Sequence, residues 1–298
     1  MDYLFHIAVI INVYAIAAMS LNLISGYTGM LSLSHAAFFG IGAYSTALMG
    51  MFFGTGFWVN ILVATALTGI LSIIVAYPAL RIFDDYFVIA TFGLQVIIHN
   101  LFRNWDELTS GSLGISGIQD IVIFNLKIDS VFEYFLLSTL IVTLIYFILS
   151  RLVDSKYGLI LRGIREDQVF TWSAGKNVTS YKIQVLLIGG ALVGVSGALY
   201  AHFISYIEPN NFSVNESIFM LSIVIIGGAG NLRGSLIASV ILIAFPELLR
   251  FVGLPPSVAA NLRQIFYGLL LILFMLYRSN GVLGVFDFGT DRNEEPNS

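Results

Sequence analysis

The chain has 298 residues, of which 57% are hydrophobic and only 11% charged, and its mean hydropathy is +0.88. That leaves too little polar surface to cover a soluble core of this size, which excludes a water-soluble globular protein and implies an integral membrane protein. The formal net charge of -4 matters less than where the charges lie, and the absence of cysteine excludes disulfides and thiolate metal sites.

A hydrocarbon layer about 30 Å thick takes roughly 20 apolar residues per helix, so the length fits an all-α polytopic bundle of about eight to ten spans. Only Met1, Asp2 and Tyr3 precede the first apolar run, with no basic segment or small-residue cleavage site, so that run is expected to stay as a span. Apolar runs predict spans at about 4–24, 30–50, 57–80, 86–102, 131–150 and 184–205. The next run is interrupted by GGAGNLRG at 227–234, which suits a turn better than a helix centre. It splits into a short helix before the turn and a longer one ending near 250. The last span is predicted at about 262–277, with Arg278, Asn280 and Gly281 as a stop. One transmembrane domain thus occupies 1–285, and the polar, acidic tail 286–298 is expected to be disordered.

Basic residues orient the chain. With the N-terminus outside and the C-terminus inside, the inner face holds Arg81, Arg151, Lys156, Arg162, Arg165, Lys176, Lys182, Arg233, Arg278 and Arg292. The outer face then holds Arg103, Lys127, Arg250 and Arg263. Ten against four favours this topology over its inverse and puts the long polar loop 151–182 in the cytoplasm. Both inner turns after apolar runs, GYTGMLSLS at 26–34 and GGAGNLRGS at 227–235, share glycines at their first and fourth positions, then Leu and Ser. This is a weak echo of duplicated halves with interrupted helices. Gly26, Gly29, Gly227, Gly228, Gly230 and Gly234 are accordingly read as turn residues.

No catalytic constellation is visible. His6, His35, His99 and His202 lie far apart without a metal or nucleophile motif, and no Walker A is present. Any ATP that drives the protein must bind another chain. Within the spans, Asn12, Asn22, Ser34, His35, Tyr44 and Gln95 are polar groups able to line a solute pathway or to glue helices together. Glu247 and Arg250 have the spacing of a helix-end pair. Gly190, Gly194 and Ala198 form a small-residue row that lets two helices approach closely.

The loop 151–182 differs in kind. From 158 to 173 it reads as an amphipathic helix, with Leu161, Ile164 and Gln168 beside a charged face of Arg162, Arg165, Glu166 and Asp167, ended by Gly175. Phe170 and Trp172 are large apolar groups in a water-facing segment, which marks a covered surface. Either lipid headgroups or a partner's groove would cover it.

Several stretches resemble one family, the membrane permeases of ABC importers for branched-chain amino acids, urea and short-chain amides. GYTGMLSLSHAAFFGIGAY at 26–44 is similar to a run in which the family has glycine where Ser34 stands. PALRIFDDYFVIAT at 78–91, TSGSLGI at 109–115, GALYAHF, IGGAGNLRG, FPELLR and LRQIFYGLLLILFMLYRSNGVLG follow in the family's order. The resemblance covers about 10–285.

The resemblance implies an inner-membrane transport subunit that is not itself an enzyme, binds no cofactor and moves branched-chain amino acids inward. Urea or an amide is the alternative cargo, and a stand-alone transporter or channel the alternative class. Implied partners are a second homologous permease in a heterodimer, two ATPase subunits holding ATP and magnesium, and a periplasmic or lipid-anchored binding protein, with no nucleic acid. It also implies that the 151–182 loop couples to the ATPase through Gly158, Arg162, Arg165, Glu166, Asp167, Phe170, Trp172, Gly175 and Lys182. Of these, Phe170 and Trp172, with Thr171 between them, depart from the small residues usual in the family. They are expected to set partner specificity.

Overall fold

In a computed structural model of the chain, the described residues are 2–79, 84–119, 121–123, 126–128, 130–248 and the positions 265, 268, 269 and 272. Apart from those last four positions, the predicted final span at 262–277 lies outside them, as do the tail 286–298 and Arg250 of the proposed pair with Glu247. Glu247 accepts a hydrogen bond from the Tyr3 hydroxyl.

Helix α1 (Asp2–Leu21) runs into one π-helical turn at Asn22–Gly26. Then follow α2 (His35–Phe53), α3 (Phe57–Ala79) and α4 (Asp84–Asn104). The next connection holds the short α5 (Asp106–Thr109), β1 (Ile115–Ser116), β2 (Val122–Ile123) and β3 (Leu126–Lys127). Beyond it lie α6 (Val131–Val153), α7 (Lys156–Glu166), α8 (Gln168–Ser173) and α9 (Val178–Ile204). The described part closes with β4 (Tyr206–Ile207), α10 (Val214–Gly227) and α11 (Leu232–Leu248). Six of these helices are long and apolar enough to cross a membrane, and α10 and α11 are shorter apolar helices.

The expected all-α bundle with interrupted helices is present. Its outward faces carry exposed leucines, isoleucines and phenylalanines such as Leu62, Ile70, Leu140 and Phe147, as suits helices set in lipid. The small-residue row works as read from the sequence. A Cβ added at Gly194 would come within 2.1 Å of the Thr68 hydroxyl oxygen, so glycine there is what lets α9 lie directly on α3. On the far side from the 151–182 loop, β1 pairs antiparallel with β4, Ile115 opposite Ile207, tying the 109–115 stretch to the end of α9.

Three boundaries differ from expectation. The π-helical turn carries α1 on to Gly26, and α2 starts at His35 rather than near 30. Between them, after two more helical residues at 27–28, 29–34 is a non-helical segment. The His35 Nε2 lies 2.7 Å from the Ser20 hydroxyl, and Ser20 stands six residues, about 9 Å, before Gly26. The chain therefore dips back into the layer before α2 begins, which is tolerated because protein groups satisfy its backbone. Helix α9 starts at Val178, because Asn177 caps it through the amide of Ser180 at 3.1 Å.

Candidate coupling site and the paired glycine turns

The polar loop is two helices, not the single one that amphipathic spacing predicts over 158–173. Ser155 caps α7 by accepting from the Tyr157 amide at 3.2 Å. Asp167 then leaves the helical region, at φ -153° and ψ 101°, and its carboxylate accepts from the Phe170 amide at 2.8 Å. An aspartate three residues before an amide is a strong N-cap, so Asp167 starts α8 as well as stopping α7. Gly175, at φ +80°, ends α8 as expected, its amide donating to the Trp172 carbonyl at 2.9 Å.

This break sorts the unusual triplet. Thr171 is buried, with its hydroxyl on the Asp167 carbonyl at 2.9 Å, and it packs on Gly163, where an added Cβ would sit 3.0 Å from the hydroxyl oxygen. Phe170 and Trp172 point the other way, 70% and 69% exposed. Val169 and Leu159 add to the same kind of uncovered apolar surface.

The inner face of α7 buries Leu161 and Ile164. Gly158 sits where an added Cβ would fall 2.0 Å from the Val153 carbonyl oxygen, so only glycine lets α7 turn back against the end of α6. Lys182 donates to the Gln168 side chain at 2.9 Å, joining α9 to α8, and Glu166 is exposed.

Arg165 reaches furthest. Its guanidinium donates to the Gly26 carbonyl at the end of the π-helical turn, and its stem lies against Gly29, an added Cβ there falling 3.3 Å from the Arg165 Cγ. Burial lowers the Arg165 pKa, partly offset by Glu166 and Tyr27. Arg162 lies over the Tyr27 ring, 5.7 Å from its centroid.

The Gly26 turn is in turn fastened to the second glycine turn. The Asn22 amide nitrogen donates to the Asn231 carbonyl at 3.0 Å and the Ser235 hydroxyl at 2.7 Å. Its oxygen accepts from the Gly230 amide at 2.8 Å. The backbones touch: a Cβ on Gly26 would lie 2.4 Å from the Gly230 nitrogen. Gly228 and Gly230 hold the positive φ angles, +104° and +81°, that turn α10 into α11, whereas Gly227 and Gly234, expected in the turn, lie at the end of α10 and in the first turn of α11, where they pack directly on each other. The two stretches that echo each other in sequence thus meet in space. The Arg165–Gly26 bond and the Asn22–Gly230 bond are joined through the π-helical turn Asn22–Gly26, so the loop is connected to both turns.

The remaining pathway candidates take up defined contacts. Asn12 donates to Ser138 and Thr139 of α6 at 3.0 and 2.9 Å. Tyr44 stacks on Phe102 at 4.4 Å, with its buried hydroxyl unpartnered. Gln95 accepts from the Ala37 amide and donates to the Phe212 carbonyl, both at 2.7 Å. Ser34 contacts Ser32 at 3.1 Å, immediately before α2. The first turn of α2 is therefore a polar cluster inside the layer, completed by Ser217, which accepts from the Ala36 amide at 2.9 Å.

Sequence reasoning missed Glu216. It stands in the first turn of α10 and accepts from the Tyr14 hydroxyl. Tyr14 lies twelve residues before Gly26, about 18 Å along the helix, which puts the pair near the middle of a layer about 30 Å thick. The signal was a carboxylate directly before an apolar run, hidden because 206–217 reads as loop. Among the described residues no group of three or more His, Asp or Glu side chains is placed to hold a metal ion.

Comparison with known proteins fits this architecture. The family described as branched-chain amino acid transport system / permease component matches residues 3–275. The high-affinity branched-chain amino acid transport system permease protein LivM of Salmonella typhimurium is 30% identical over 300 residues, covering 93% of this chain and 69% of that protein. Its Escherichia coli counterpart is 29% identical over the same coverage. Two proteins of Methanocaldococcus jannaschii, the probable branched-chain amino acid transport permease proteins LivM and LivH, are each 22% identical, over 91% and 78% of this chain. No solved structure gives a significant match. With the family matched across nearly the whole chain and its helices apolar enough to span a bilayer, the chain belongs to the branched-chain amino acid transport system permease family and is a multi-pass membrane protein.

Proposed function

We propose that the chain is the permease subunit of an ATP-driven importer that moves branched-chain amino acids inward, with ATP and magnesium held by two partner ATPases. The observation that carries this reading is the line from Arg165 through Gly26 and Asn22 to Gly230. It gives a push on the loop a stiff route to both glycine turns, and so to α1, α10 and α11. A rocking of these helices between outward and inward openings is a two-state change that ATPase closure would bias.

Phe170 and Trp172, uncovered at the tip of the loop, favour a docked partner over a stand-alone transporter. The relatives' names favour branched-chain amino acids over urea or amides. Likeness to both a LivM and a LivH of one organism supports pairing with a second, homologous permease in a heterodimer, fed by a periplasmic or lipid-anchored binding protein. The excess of basic residues supports an inner membrane with the loop and C-terminus in the cytoplasm and the N-terminus outside, 1–285 forming one domain. The polar cluster of Ser34, His35 and Gln95 at the start of α2, with Ser217 and Glu216 beside it, is the region by which the solute would pass.

Because the chain has no cysteine, single Phe170→Cys and Trp172→Cys variants give clean cross-linking handles. Co-expressed with its transport partners, each should cross-link to an ATPase subunit, and vesicles bearing the complex should take up labelled leucine only with ATP. Cross-linking to lipid alone, or uptake without ATP, would refute the reading.

A further inference from the structure

Where the end of α6 meets α7 and the 228–231 turn, a cleft of about 470 Å³ opens at the membrane boundary. Its walls carry two guanidiniums, Arg162 and Arg233, and two phenols, Tyr27 and Tyr146, beside Asp154. Among the described residues neither arginine hydrogen-bonds a carboxylate, although Asp154 lies near enough to Arg233 to attract it electrostatically. Arg162 donates once, to the Val153 carbonyl at 3.3 Å, while its Nε is buried without an acceptor. Arg233 gives its Nε to the Tyr146 hydroxyl at 3.1 Å and is otherwise exposed.

A buried guanidinium N–H lacking an acceptor is costly unless a ligand supplies one. One such N–H, on Arg162, beside the exposed guanidinium of Arg233 in the same cleft asks for an anion with several oxygens, and phosphate is the oxyanion that arginine forks fit best. The start of α11 does not compete for it, because Asn231 already accepts from the Arg233 and Gly234 amides at 3.0 and 3.2 Å. Leading to the cleft along α6 is an apolar stripe, Leu140, Leu144, Phe147 and Ile148, every member more than half exposed. A free phosphate would use the arginines and ignore that stripe; a lipid uses both.

We infer that the cleft binds the headgroup of an anionic phospholipid from the adjoining leaflet. Arg162 and Arg233 clamp its phosphate, Tyr146 aims Arg233, the Tyr27 ring backs Arg162, Asp154 accepts from headgroup hydroxyls, and the acyl chains lie along the α6 stripe.

The test is retention of phosphatidylglycerol against phosphatidylcholine by the purified full-length chain, read by native mass spectrometry from neutral detergent. Two arginines at a membrane surface imply a preference of roughly 30-fold, which Arg162→Gln/Arg233→Gln should bring close to parity. Tyr146→Phe should lower it several-fold. If the double variant does not insert, Arg233→Gln alone, a change at an exposed position, still tests the clamp. Equal retention of the two lipids, or full preference in the variants, would overturn the inference. So would complete displacement by millimolar inorganic phosphate, which marks a soluble anion, or variants that lose ATPase binding with lipid preference unchanged, which marks a protein groove.

Discussion

Arg165 on α7 donates to the carbonyl of Gly26, 139 positions earlier in the chain, and that one contact joins the polar loop to the end of the first membrane helix. The carbonyl is one of those a helix end leaves without an intrahelical partner. A cationic donor there also suits the negative end of the helix dipole. Moving α7 therefore moves Gly26.

Asn22 continues the line, and its loss should be felt in stability. Asn22→Leu leaves the Gly230 amide and the Ser235 hydroxyl without their buried partner, a cost of about 1–3 kcal/mol. The thermal midpoint of the detergent-purified chain should fall clearly. Asn22→Asp keeps the acceptor for Gly230 but sets a carboxylate oxygen against the Asn231 carbonyl that the amide nitrogen now serves, so it should not restore the stability.

Gly158 should be intolerant in a different way. With the Val153 carbonyl oxygen 2.0 Å from any added Cβ, Gly158→Ala forces α7 away from the last residue of α6 while leaving the packing between the spans in place. Membrane insertion should be normal, while ATPase stimulation drops at least several-fold. Wild-type stimulation in an inserted Gly158→Ala chain would show that the seat of α7 is irrelevant to coupling.

The triplet at the loop tip makes a contrast. Phe170→Ala and Trp172→Ala alter exposed side chains and should shift the chain's own stability by no more than about 0.5 kcal/mol, yet weaken ATPase assembly in a pull-down. Thr171→Trp, placed against Gly163, overpacks a filled contact and should destabilise by about 1–3 kcal/mol.

Much of this arrangement is legible in the sequence. Among the described residues hydropathy locates six long spans, with the starts of α2 and α9 off by five and six residues, the glycine turn divides α10 from α11, and Gly175 ends the loop helix. What hydropathy misses is decided by individual hydrogen bonds. The late start of α2 depends on Gln95 and Ser217, 58 and 181 residues away from the amides they cap. The break at Asp167 is an N-cap whose signal was overridden by continuous amphipathic spacing across it. The meeting of the two glycine turns was only hinted at by their shared letters, since repeats do not by themselves say which copies touch. Glu216 needed the partner Tyr14 to be recognised.

Tyr14→Phe tests that pair. It leaves the Glu216 carboxyl inside the layer without its donor and should cost about 1–3 kcal/mol, read as a lower unfolding temperature. Glu216→Gln retains an acceptor for the Tyr14 hydroxyl, so by itself it should be milder. The two changes should be non-additive in a double-mutant cycle; strict additivity would mean that the hydroxyl and the carboxyl do not interact.

The measurement closest to the central claim is ATP-driven leucine uptake by the reconstituted complex carrying Arg165→Gln, compared with wild type alongside ATPase assembly. If the loop drives the helices through Gly26, the complex should assemble and hydrolyse ATP while uptake falls at least roughly tenfold, the loss that about 1.4 kcal/mol of coupling represents. Uptake at the wild-type rate in an assembled Arg165→Gln complex would contradict it.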